Sequence, residues 1–249
     1  KTIRNWAFDR EGPDERRRRQ IYSCNDWIYH GVHFGLLSVY EWPSDFSEGG
    51  TDPNNRHERD VMNYYIGTSR DADSWDLSWV YAGKPIVPRG PDGAFDKDLI
   101  TPGSTIVTHA DRHWLYYGGA NERHGDPEVH FPRTHAIGLA TLRLDGFVGL
   151  EAKDRPGTVL TRPFRLAGNR LEINVDARGG SLAVEVLDEQ GQTIAGLSRA
   201  QCKPLEDVGG LRLPVAWHNQ PDLSALHGKL VRLKFSLQNA RLYAFQVRP

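Results

Sequence analysis

Cysteine is scarce in this chain, and so are long apolar runs, basic stripes and helical periodicity. Its two cysteines, Cys24 and Cys202, lie far apart and have no CxxC neighbours. That excludes a disulfide framework and gives no sign of a structural zinc site, so both read as buried free thiols. No apolar run approaches the ~20 residues that a membrane helix needs, and mean hydropathy is -0.56, so no membrane partner is expected. Formal net charge is -1. A nucleic-acid protein usually carries a basic domain or stripe, and none is expected to bind here. The one basic run, Arg16 to Arg19, sits among acidic residues in "DREGPDERRRRQ" and reads as a solvated loop. The opening "KTIRNWAFDREG" is polar, has no signal-peptide pattern and lacks an initiator Met, so the chain is expected to be processed, trimmed or incomplete. No N-x-S/T sequon is present, and the compartment stays open, secreted or periplasmic if an N-terminal part is missing.

Stretches with apolar residues at i, i+3, i+4 and i+7 are also missing, which argues against a helical fold. Strand signals take their place. "HFGLLSVYEW" (33–42), "DVMNYYIGTSRD" (60–71), "SWDLSWVYAG" (74–83), "LITPGSTIVT" (99–108), "HWLYYGGA" (113–120) and "HAIGLATLRLDGFVGLEA" (135–152) read as strands, separated by Gly-, Pro-, Asn- and Asp-rich loops. After Pro156 the texture changes to clear period-2 alternation. In "SLAVEVLDEQGQTI", Leu182, Val184 and Val186 are expected to point inward. A boundary near 150–158 therefore divides residues 1–152 from an antiparallel β-sandwich at 153–249. Within the first part, "QIYSCNDWIYHGVHFGLLSVYEW" and "DLITPGSTIVTHADRHWLYYGGA" repeat one pattern of strand, aromatic turn and strand. Repetition of a β unit at this period suggests propeller blades.

"IGTSRDADSWDLSWVYAGKPIVP" and "FDKDLITPGSTIVTHADRHWLYYGGANERHG" resemble blade segments of the five-bladed β-propeller glycosidases, the group of glycoside hydrolase families 32, 43 and 130. The ending, "AIGLATLRLDGFVGL" followed by a sandwich closing on "NARLYAFQ", resembles bacterial proteins described as family 32-like. The resemblance implies an all-β fold, blades of a five-bladed propeller followed by a β-sandwich, and glycoside hydrolysis of a carbohydrate substrate. It also makes Asp71, in "SRDADSW", a turn former. Five blades need about 200–225 residues at ~40–45 each, and residues 1–152 hold only two blades and the edge of a third. Either the chain is the C-terminal part of a longer protein, with missing N-terminal blades or a partner chain completing the ring and one catalytic Asp lying outside this sequence, or it lacks a closed propeller.

In an antiparallel blade, the start of the first strand, the end of the second and the start of the third share one rim. That rim is expected to gather Glu41, Trp42 and Asp60 from one blade, and Asp96, Asp98, Asn121, Glu122 and His124 from the next. Glycoside hydrolysis needs two carboxyl groups facing the scissile bond, one to protonate the leaving oxygen and one to attack or to activate water. Asp98, Glu41 and Glu122 are the catalytic candidates. Trp42, Asp60, Asp96, Asn121 and His124 are the substrate-binding candidates, Trp42 as a sugar platform. His30, His33, His109 and Asp111 fall in far-rim turns and read as structural. Asp96 and Asp98 alone do not make the cage of roughly six to eight oxygens that calcium takes. Ser104, in "PGSTI", is not in a nucleophile elbow. No metal or cofactor is expected. The alternative is a non-catalytic carbohydrate-binding or structural module.

Overall fold

The structure is a computed structural model and describes residues 19–41, 61–123, 134–220 and 222–249. The chain divides into two compact units, Lys1–His109 with His113–Thr141, and Ala110–Arg112 with Leu142–Pro249. The described residues are mostly β, in three sheets. None of their helices is long and apolar enough to cross a membrane.

The first unit is built on an eight-stranded mixed sheet. Strand β1 (Gln20–Tyr29) turns through His30 and Gly31 into β2 (Val32–Glu41). Both turn residues have positive φ, +47° and +73°, the geometry of a two-residue hairpin whose twist matches its strands. β2 pairs antiparallel with β3 (Val61–Ser69), His33 opposite Ser69 and Glu41 opposite Val61. A short β4 (Trp75–Asp76) follows on β3. Then come β5 (Leu99–Pro102), β6 (Val107–His109), β7 (Arg112–Ala120) and β8 (His135–Arg143), with β8 on β7. A single parallel pair, Met62 with Leu99, joins the β1–β4 group to β5 and β7. A closed propeller is not detected among the described residues.

The continuous apolar runs of β2 and β3 have the meaning expected of a strand covered on both faces. Leu36, Leu37, Val39 and Val61 are fully buried. Leu37, Val39 and Tyr65 pack with Leu77 and Val80 in one cluster, which Cys24 borders. Burial of each such aliphatic side chain is worth about 1.5–3 kcal/mol. Cys24 itself is half-buried, a correction to the expectation of two buried thiols, whereas Cys202 is buried.

Three expected strands are interrupted, one of them residues 135–152, which stop at Arg143 and resume as strand only at Leu150–Ala152. Residues 74–83 do not continue as a strand after Asp76. The Asp76 carboxylate accepts the Ser78 N–H at 2.9 Å, which turns the chain into one helical turn, α1 (Ser78–Tyr81). This short Asp–Ser contact competes with the sheet ladder, and it leaves Leu77 and Val80 on one face, three apart, both buried. Residues 99–108 likewise break into β5 and β6. At the break, the Gly103 N–H bonds back to the Tyr116 carbonyl, and a Cβ there would lie 2.9 Å from that oxygen. The loop before β4 is a side-chain-built turn. Asp71 Oδ1 accepts the N–H groups of Asp73 and Ser74 at 3.0 and 2.8 Å, and those N–H groups hold its carboxyl below the ordinary value. Asp71 is thus the turn former expected.

The second unit holds two antiparallel sheets on one core. One contains β10 (Gly157–Leu160), β11 (Phe164–Arg165), β13 (Ser181–Asp188), β14 (Leu205–Glu206) and β16 (Leu230–Gln238). The other contains β9 (Leu150–Ala152), β12 (Arg170–Asp176), β15 (Gly209–Pro214) and β17 (Ala240–Arg248). Leu171, Ile173 and Val175 from one sheet meet Leu182, Val184, Val186, Leu233 and Phe235 from the other, all buried. Period-2 alternation aims every second residue of β12, β13 and β16 at this core. Trp217 is buried there too, and its indole N–H donates to the Val184 carbonyl at 3.1 Å.

Candidate functional site

Strand direction brings one set of carboxylates together. Pairing of Gln20 with Tyr40 and of Glu41 with Val61 puts the start of β1, the end of β2 and the start of β3 at one end of the sheet. Pairing of Met62 with Leu99, and of Leu99 with Ala120, adds the start of β5 and the end of β7 to that end. Asp98 is fixed there twice through its backbone. Its carbonyl accepts the Met62 N–H at 2.9 Å, and its own N–H donates to the Ala120 carbonyl at 3.2 Å. Glu41, Asp96, Asp98, Asn121 and Glu122 therefore gather at this end. Trp42, Asp60 and His124 lie outside the described residues.

Glu41 is 7% exposed, and its carboxylate is fully engaged. Oε2 accepts from Arg19 Nε at 2.5 Å; Oε1 accepts from Asn63 Nδ2 at 2.5 Å and from the Tyr65 hydroxyl at 2.7 Å. Asn63 and Tyr65 are two apart on β3 and so share a face. Burial, followed by the nearby Glu41 charge, pushes the Tyr65 hydroxyl well above its ordinary pKa, so it remains a donor. Asp98 is 4% exposed, with Lys97 Nζ 2.9 Å from Oδ2 and Arg123 Nε 3.6 Å from Oδ1.

Asp96 is also buried and accepts from the Tyr117 hydroxyl at 2.8 Å. Burial, then that hydrogen bond, pushes the tyrosine up to about 12. Two glycines clear the space this pair occupies. A Cβ on Gly119 would stand 2.7 Å from Asp96 Cβ, and one on Gly90 would stand 2.2 Å from Asp96 Oδ1. Glu122 Oε1 lies 2.8 Å from His135 Nε2. Asn121 closes the base of its loop: its Oδ1 accepts the Thr134 N–H at 2.8 Å, and its own N–H donates to the Thr134 carbonyl.

An open groove of about 570 Å³ is floored by Gly118 and Ala120 and walled by Leu99, His135 and Ile137, and none of Glu41, Asp96, Asp98, Asn121 and Glu122 is among its lining residues. Asp98 immediately precedes one wall, and Glu122 pairs with the other. Gly118 leaves part of the floor without a side chain, while Gly119 faces the other way, toward Phe95 and Asp96. No group of three or more His, Cys, Asp and Glu among the described residues is placed to hold a metal ion.

The far end of the same sheet is structural in character. His33 Nδ1 lies 2.8 Å from Asp26 Oδ2, and Ala110 takes a positive φ of +52° in the turn between His109 and Asp111. His113, on β7, is fully buried, with Nδ1 2.9 Å from Thr108 Oγ1 and its ring edge-on to Tyr29. The sequence reading passed over Arg19, Asn63, Tyr65, Tyr117 and Arg123. One signal was available for Asn63: a polar residue inside an apolar run must find a buried partner.

No protein-family profile matches the chain, and no curated protein matches it. Among solved structures, a glycoside hydrolase family 43 arabinoxylan arabinofuranohydrolase from Bacillus subtilis, in complex with cellotetraose, matches at a TM-score of 0.24 and 11% identity, over 91% of this chain and 53% of that one. The chain thus spans about half the length of that structure, and the likeness is distant.

Proposed function

We propose that this chain is a glycoside hydrolase-like carbohydrate-active protein, and that the groove lined by Leu99 and His135 receives the sugar. The observation that carries this reading is the placement of Asp98, Glu122 and Glu41 at one sheet end, with Glu122 bonded to His135, which lines the groove. The blade-like motifs in the sequence add support. So does the consecutive antiparallel order of β1 to β4, with β7 joining β5 and β8: these are read as two blades of a five-bladed propeller, followed by a β-sandwich. In this reading Asp98, held by Lys97 and Arg123, is the carboxylate that attacks the anomeric carbon or activates water. Glu122, beside the largely exposed His135, protonates the leaving oxygen. Glu41, already bonded to Arg19, Asn63 and Tyr65, supplies a fixed negative charge near the developing oxocarbenium ion. Asp96 and Asn121 support the groove, and Trp42, Asp60 and His124 are proposed to border it.

A second reading, a carbohydrate-binding or structural module without catalysis, is favoured by the burial and complete pairing of Glu41 and Asp98, as in a structural ion network. One experiment separates the two. The full chain is assayed on aryl glycosides of arabinofuranose, xylose, glucose and fructofuranose. Asp98→Gly is expected to lower kcat by about 10³-fold, and added formate, replacing the lost carboxylate, should restore part of it. Turnover that persists in Asp98→Gly, or no turnover of any glycoside by the wild-type chain, would sink the hydrolase reading.

A further inference from the structure

The second unit carries a polar groove of about 440 Å³ between the ends of β9, β12 and β17. Its charges are unequal. Lys153, Arg178 and Arg241 line it against Glu151 and Asp176. A fourth cation, Arg143, lies over the ring of the lining Tyr243, 4.2 Å from its centroid. Arg178 and Arg241 are oriented by the acids beside them. Arg178 grips Asp176 through Nε at 2.9 Å and Nη2 at 2.5 Å, and Arg241 Nη2 donates to Glu151 at 2.8 Å. A guanidinium has five N–H donors, and this fork uses two of those on Arg178, whose side chain is 73% exposed. That leaves three donors on Arg178 for a second acceptor. The other lining groups are an amide, a phenol and backbone, with only Ala152 and Ala240 as apolar side chains. Such a surface suits hydroxyl groups and gives a peptide no pocket for an apolar anchor.

We infer that this groove binds a carboxylate-bearing saccharide, with Arg178 and Arg241 receiving the carboxylate. The site lies entirely within the second unit and does not depend on hydrolysis by the first.

The test is retardation of the full chain in native gels containing polygalacturonate, with neutral arabinoxylan gels in parallel. Polygalacturonate should retard the wild-type chain and arabinoxylan should not. Raising the ionic strength to about 0.3 M, where the Debye length falls below roughly 8 Å, should weaken the retardation. Arg178→Glu should lower the affinity by at least roughly tenfold, as expected for a lost charge-assisted contact. Lys229→Glu, an equal charge change at an exposed lysine outside the groove, should leave it unchanged. Thermal melts confirm that both variants are folded, and Arg178→Gln replaces Arg178→Glu if the reversal unfolds the chain. Four results would overturn the proposal: no retardation by polygalacturonate, equal retardation by arabinoxylan, equal loss in Lys229→Glu, or competition by poly-L-glutamate as effective as that by free polygalacturonate. The last would assign the groove to an acidic protein segment.

Discussion

In the first unit the carboxylates of Glu41, Asp96 and Asp98 are buried among tyrosine, asparagine and cationic partners. In the second, Asp176 and Glu151 pair with arginines at the surface, while the interior is aliphatic apart from Trp217, Phe235, a few small groups and the buried amide of Asn174. Similar acids are thus used in two ways. A surface pair costs little to form or lose, with a typical worth of 0–1 kcal/mol. A buried carboxylate has given up its water and depends on every partner it retains. The first unit therefore carries its vulnerability in polar groups, and the second carries it in packing.

The largest effect should come from the packed unit. Phe235 is fully buried with its ring 5.4 Å from that of Phe245, so Phe235→Ala is expected to cost about 3–5 kcal/mol in urea denaturation. A loss under 1 kcal/mol would mean that the core rearranges to fill the gap. Glu41→Gln tests the other side of the comparison. It keeps the shape but removes the buried carboxylate charge that Arg19, Asn63 and Tyr65 bond, with an expected loss of about 3 kcal/mol. A neutral result would place Glu41 among dispensable pairs and erase the contrast. Tyr65→Phe removes one donor to the same carboxylate and should cost about 1.5–3 kcal/mol. Combined with Glu41→Gln, its effect should be clearly less than additive, because the two side chains share one bond.

The alternation of β12, β13 and β16 was legible because burial on one side writes a period of two directly into the sequence. The gathering of Glu41, Asp98, Asn121 and Glu122 at one sheet end was legible for a different reason: strand direction alone decides which ends meet. The partners were not legible. Arg19 reaches Glu41 across 22 positions, and Tyr117 reaches Asp96 across 21, distances at which no local pattern operates. The interruptions at Leu77 and Gly103 were missed because single contacts decide them, the Asp76–Ser78 bond and the close approach of Gly103 to Tyr116, against an otherwise strand-like composition.

The smallest expected effect concerns the surface pair. Arg178 holds the Asp176 carboxyl down at about 2. A carboxyl depressed on folding contributes its stability above the unfolded value, near 3.9, and loses it as pH falls toward the folded value. The melting difference between wild type and Asp176→Asn should thus be constant from pH 5 to pH 7 and should vanish between about pH 4 and pH 2. A difference that persists below pH 2 would show that the side chain acts through packing rather than charge.

Asp98 is bonded through its carbonyl to β3 and through its N–H to β7, where β3 and β5 share only one pair of residues. It works as a rivet through three strands. Opening this one rung frees the backbone of a proposed catalytic carboxylate while the hairpin of β1 and β2 and both sheets of the second unit stay zipped. Loss of function on warming would then run ahead of global melting, and the chain would inactivate while still largely folded.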